Sequence, residues 1–298
     1  MKKIFRLVFS WFWSCILTLL LITAGQMLGS LVNLISGPED SFAAGIFETG
    51  MLYASFIGIW IVFILFMLAV KADRETLRHI GKASRGNTVG FALAGAATGF
   101  AMNGLCALAA GLNGDIALHF DNFSLPAFVI LLIAVFIQSG AEELACRVFL
   151  YRRILRAYKS PLLAVLVNSA LFGALHLFNN GVSAVSIYNI VIIGILMSLV
   201  IYYWDSFRFV AWLHTAWNFT QNILLGLPNS GHVVPYSIFK LDAANARDTF
   251  FYNTAFGLEG TFFADIVLTV AVLAVFFMGR KMTGKKLERP EAGTSAGA

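Results

Sequence analysis

Charge is what this sequence has least of. Asp, Glu, Lys and Arg make up 12% of its 298 residues, while 59% are hydrophobic. A soluble domain carries about 25% charged residues, so composition excludes a water-soluble globule and leaves a polytopic membrane protein. Cysteine is nearly as scarce. Cys15, Cys106 and Cys146 are odd in number and lack metal-ligand spacing, which excludes a disulfide framework and leaves small buried hydrophobes. Only Cys146 falls in a motif of interest. All six prolines (Pro38, Pro126, Pro161, Pro228, Pro235, Pro290) lie between apolar runs or at their starts, so none breaks a span. No internal repeat is evident, which removes support for an inverted-repeat transporter. No basic segment is interleaved with exposed aromatics, so no nucleic-acid partner is expected.

What the chain does have is apolar runs. A helix needs about 20 apolar residues to cross a bilayer, and eight candidate spans follow: 7–33, 50–70, 88–112, 126–150, 161–179, 183–204, 207–226 and 262–279. The expectation is an all-α bundle of about eight transmembrane helices, one membrane domain over 1–298, with a flexible cytoplasmic tail at 281–298. Of the 21 Lys and Arg, all but three fall at the N-terminus, in the loops after spans two, four and six, or after span eight. The exceptions are Lys240 and Arg247 on the other side and Arg147 within a span. By the positive-inside rule both termini are cytoplasmic. The first span is too long for a cleaved signal peptide and lacks an A-x-A-like site. Gly95 and Gly99 in span three suit close helix packing. The 227–258 loop is long for a bundle connection and holds several aromatics that could fold back onto the outer surface.

The chemistry concentrates in span four, which reads Ser139-Gly-Ala-Glu-Glu-Leu-Ala-Cys-Arg147. An ionisable residue near a bilayer centre costs roughly 2.5–3.5 kcal/mol, so three together imply use. Glu143 and Arg147, four apart, share a helix face and can pair. Glu142 points about 100° away from its neighbour and is the freer carboxylate, suited to general acid–base work. Span five contributes Phe172 and His176. Span seven contributes His214 and Asn218, again four apart. Three polar sites on three helices can converge on one cavity. His79, His119 and His232 fall in loops and are set aside.

Glu-Glu-x-x-x-Arg at Glu142, Glu143 and Arg147, then Phe-x-x-x-His at Phe172 and His176, then His-x-x-x-Asn at His214 and Asn218, resembles the CPBP family of CAAX prenyl endopeptidases and bacterial Abi-type proteins. The segment Gly226-Leu-Pro-Asn-Ser-Gly231 is similar to what trails the last motif in bacterial members. The resemblance covers roughly 126–231. It implies an intramembrane endopeptidase with a cytosol-facing cavity, acting on a membrane-associated peptide. In it, Glu142 and His176 activate water, His214 and Asn218 stabilise the oxyanion, and Glu143, Arg147 and Phe172 support them. The expected setting is a bacterial plasma membrane, with the lipid bilayer as constant partner.

Glu142, His176 and His214 could also form a zinc set, but His-Glu-x-x-His is absent and Asn218 is a better oxyanion donor than zinc ligand. No cofactor is therefore expected, with zinc as the alternative. The rival functions are a non-catalytic scaffold or immunity-type protein that retains the motif, and a proton-coupled transporter. One depth estimate disagrees with the rest. At 1.5 Å per residue, Glu142 and His214 lie roughly 13 and 10 Å from the cytoplasmic ends of their spans, but His176 lies roughly 24 Å along its own.

Overall fold

The computed structural model describes residues 2–82, 84–285 and 287. Helix α1 (Lys2–Gly29) passes into a 3-10 turn. Then follow α2 (Ser41–Ala54), α3 (Ile57–Ala69), the short α4 (Lys71–Arg74), α5 (Val89–Leu112) and α6 (Leu125–Glu143). A π-helical stretch, Leu144–Leu150, joins α6 to α7 (Tyr151–Tyr158) without a break. The chain continues through α8 (Pro161–Ala174), α9 (Ala184–Trp204), α10 (Phe207–Asn218), a second π-helical stretch at Phe219–Leu224, and α11 (Phe262–Thr283).

The protein is an all-α polytopic membrane protein. Among the described residues, 6 stretches are long and apolar enough to cross a bilayer: Ser10–Leu34, Ser41–Ala69, Val89–Leu112, Leu125–Tyr158, Ala184–Trp204 and Phe262–Thr283. The expected fifth and seventh spans are shorter helices set within the bundle. Serine side chains start the site-bearing helices: Ser124 accepts from Ala127 N, Ser160 from Leu163 N, and Ser206 from Phe209 N. Each replaces a partner that the first turn lacks, and Pro126 and Pro161 sit at the tolerated first positions of α6 and α8.

Several expected boundaries move. The second span begins at Ser41, where Asp40 caps it by accepting from Ala43 N at 2.8 Å, and the run is interrupted at Ser55–Phe56. The tail does not begin at 281: α11 runs to Thr283 and stops at Gly284, whose φ of 67° is left-handed. Residues 286 and 288–298 lie outside the described residues, and with them most of the expected tail. The small-residue surface of α5 does what its spacing suggests. A Cβ on Gly95 would lie 2.2 Å from Phe209 O, and one on Gly99 2.2 Å from Leu213 O. Only bare backbone there lets α5 seat against α10, the helix that carries His214.

The segment between α10 and α11 folds over the end of the bundle away from the chain termini. Its strand β2 (Phe239–Leu241) pairs antiparallel with β1 (Leu118–Phe120), and Tyr252 and Phe256 are fully buried.

Candidate active site

The depth disagreement disappears because span four is longer than its apolar run. The helix continues past residue 150 to Tyr158, and Arg152, Arg153 and Arg156 lie on these last, roughly two turns. Glu142 precedes Tyr158 by as many residues as His176 follows Ser160, so the two ascend equally from the 159–160 turn. The α9–α10 turn docks higher: Asp205 there pairs with Arg152 and with His79. That higher start brings His214, fewer residues along its helix, to the same level.

Arg147 and Glu143 form an ion pair at 3.1 Å, and neither side chain reaches solvent. The guanidinium lies over the Phe172 ring, 4.2 Å from its centroid, and its Nη2 is 3.5 Å from Met197 Sδ. Phe172 is also edge-on to His176 and His214, with centroids 5.0 and 6.2 Å away. The expected supporting trio is therefore one stack. Glu143 does more than pair with Arg147: its Oε1 lies 3.0 Å from His214 Nδ1, which fixes that ring and leaves Nε2 facing Glu142. Glu142 Oε2 stands 3.8 Å from His214 Nε2 and makes no hydrogen bond among the described residues. His176 Nδ1 lies 2.8 Å from the Phe172 carbonyl. An N–H there donates to that oxygen, so Nε2 carries the lone pair.

These side chains meet at a cavity of about 300 Å³ lined by Glu142, His176, His214 and Asn218. Two helices change pitch beside it, at Leu144–Leu150 and Phe219–Leu224, the kind of π-helical interruption that recurs at functional sites. Among the described residues no group of three His, Cys, Asp or Glu is placed to hold an ion.

Sequence reasoning missed four participants. Gln138, one turn before Glu142, donates from Nε2 to Glu142 Oε1 at 2.6 Å and accepts from Asn218 Nδ2 at 3.0 Å. Its signal was an amide four residues ahead of the carboxylate on the same face. Asn229 Nδ2 donates to Asn218 Oδ1 at 3.1 Å, and Ser230 and His232 line the cavity. His232, set aside as a loop residue, thus belongs to the site's surroundings. The 226–231 segment carried the hint, but only a folded loop could place it. Of the exposed lining residues, His232 stands at the bundle end opposite the basic segments, while Gln26 and Leu52 lie within the Ser10–Leu34 and Ser41–Ala69 spans.

Fold and site together define a multi-pass membrane protein with a buried carboxylate–histidine centre. Residues 124–220 match the family model for Rce1-like type II CAAX prenyl endopeptidases. The match covers about a third of the chain and spans all seven motif residues, from Glu142 to Asn218. No curated protein matches the chain.

Proposed function

We propose that the protein is an intramembrane endopeptidase that hydrolyses a peptide bond of a membrane-associated substrate. The observation that carries this is Glu142 itself: one oxygen is held by Gln138 and the other is uncommitted, in a cavity shared with two histidines. A water between Glu142 Oε2 and His176 Nε2 gives its proton to the carboxylate as its oxygen attacks the scissile carbonyl carbon. The carbonyl oxygen becomes an oxyanion, held by His214 Nε2–H and Asn218 Nδ2–H. Collapse breaks the C–N bond, and Glu142 returns the proton to the leaving amine.

Two details support this assignment. Glu142, Glu143 and Arg147 sum to one negative charge, so a His214 protonated on both nitrogens makes the buried centre neutral and supplies the Nε2–H donor. Asn218 Nδ2 holds Gln138 at 3.0 Å but Ser139 Oγ only at 3.4 Å. The longer bond is the one an oxyanion would replace. The step uses the chain's own side chains and routes nothing through a metal.

Glu142→Gln keeps shape and the Gln138 contact but removes the base. In comparative proteomics of membranes carrying wild type or Glu142→Gln, at least one peptide should accumulate in the variant, with cleavage slowed about 10²- to 10⁴-fold. Identical peptide profiles from equally abundant proteins would refute the peptidase reading in favour of a non-catalytic scaffold.

A further inference from the structure

The floor of the cavity is sealed on the side of the basic loops. From Glu143 to Tyr151 every residue of the long fourth span is buried. Below it α1 closes against α7, where the Trp11 main-chain N–H lies 3.0 Å from the Tyr158 hydroxyl. No side of that span faces open space for more than two turns beneath Glu142. The other direction is different. The lining there comes from Gln26 near the far end of α1, Leu52 of α2, Asn179 just after α8, and Ser230 and His232 of the segment between α10 and α11. His232 is exposed beyond the spans, and Gln26 and Leu52 are exposed within the upper parts of theirs. The opening therefore lies at the bundle end that carries the β1–β2 pair, opposite the 71–85 and 152–159 segments with their concentration of Lys and Arg.

Charge says which side that is. Basic loops stay cytoplasmic, so the opening faces away from the cytoplasm. The lining also limits what enters. Among the described residues none of those lining the cavity is Lys or Arg, and five are side-chain amides: Gln26, Gln138, Asn179, Asn218 and Asn229. Amides of this kind pair with the N–H and C=O groups of an extended peptide, and no Lys or Arg stands ready to hold a terminal carboxylate.

We infer that the site is reached from the non-cytoplasmic side, and that it takes the interior of an extended, uncharged segment at the outer boundary of a membrane-anchored peptide. The class of substrate rests on the peptidase reading; the sidedness does not.

The test is cysteine accessibility in intact cells. His232→Cys, Leu52→Cys and, as the basic-end control, Lys82→Cys are treated with a membrane-impermeant sulfonated maleimide before and after permeabilisation. The parent chain with Cys15, Cys106 and Cys146 gives the background. Expected is labelling of His232→Cys and Leu52→Cys in intact cells at least tenfold over the parent, with Lys82→Cys labelled only once the membrane is opened. Should His232→Cys fail to accumulate, the adjacent exposed Val233→Cys reads the same surface. Labelling of Lys82→Cys in intact cells, or of the mouth positions only after permeabilisation, would overturn the sidedness. Labelling as expected together with an unchanged Glu142→Gln proteome would leave the outward opening standing and remove the peptidase. The reverse result would remove only the outward opening.

Discussion

Removing the positive charge of Arg147 while keeping its bulk, as in Arg147→Met, tests how the membrane tolerates this site. In the native protein the guanidinium and the Glu143 carboxylate are 3.1 Å apart with no exposure. Among the described residues, the substitution leaves that carboxylate with the His214 Nδ1 contact as its one hydrogen bond. Breaking a buried pair from one side costs about 3–5 kcal/mol. Loss of the cation over Phe172, 4.2 Å from the ring centroid, adds up to about 2 kcal/mol in a desolvated site. Methionine recovers part of the packing, so about 3–5 kcal/mol is the expected net loss, two to three and a half powers of ten in the folded population. Glu143→Gln should lose a comparable amount by stranding Arg147. The double variant removes both charges, so its loss should fall short of the sum of the singles by more than about 1 kcal/mol, as coupled neighbours do. The assay is thermal unfolding of purified protein in detergent, followed by tryptophan fluorescence, with membrane yield alongside. An Arg147→Met protein as stable as wild type, or strict additivity in the cycle, would refute the reasoning.

Gln138→Leu removes the group that holds both Glu142 Oε1 and Asn218 Nδ2. A hydrogen bond to a charged group is worth about 1.5–3 kcal/mol, so kcat should fall roughly 10- to 100-fold with KM little changed, and a wild-type kcat would remove Gln138 from the positioning machinery. Gly99→Val places a side chain where even a Cβ would lie 2.2 Å from Leu213 O; α10 must move, and both Tm and activity should drop, which parallel melting curves and cleavage assays check. Burial pushes the Asp205 carboxyl up, but its hydrogen bond from His79 and the nearby Arg152 outweigh that and hold it below the ordinary range. A depressed carboxyl stabilises the fold above about pH 4 and loses that contribution as pH falls through its folded value. Asp205→Asn should therefore lower Tm at neutral pH and converge with wild type in acid; a gap that is constant with pH would contradict this.

The parts of the site that were legible in the sequence are those fixed within one helix. Glu143 and Arg147 pair because four residues bring side chains to one face, and Gly95 and Gly99 recur at the same spacing. Hydropathy failed where a helix left the apolar slab. Tyr151–Tyr158 carries Arg152, Arg153 and Arg156 and reads as a loop, yet it continues the helix, and the depth of His176 made no sense without it. It also failed at Ser41, where an N-cap rather than apolarity sets the start. Asn229, Ser230 and His232 were hidden for another reason. Their place depends on a segment that crosses the bundle end and returns, and no local periodicity encodes such a path.

That segment is held by a second buried carboxylate, and this explains why the loop belongs to the site. Glu259 accepts from Trp217 Nε1 at 3.0 Å and from Gln221 Nε2 at 2.6 Å, so both of its oxygens grip the half of α10 and its π-helical extension beyond His214. Burial pushes the Glu259 carboxyl up, against the pull of those two donors. Gln221 Oε1 accepts from Asn103 of α5 at 2.6 Å, and Asn189 of α9 donates to the Glu259 carbonyl at 2.8 Å. Four parts of the chain are thus tied at one point. His214 and Asn218 lie on α10 between two anchors: Asp205 and Ser206 at its basic end, and Glu259 at the other. With both ends fixed the helix cannot rotate about its axis, so the two side chains stay turned towards Glu142. The residues proposed to hold the oxyanion are positioned as much by the loop as by the motif that contains them.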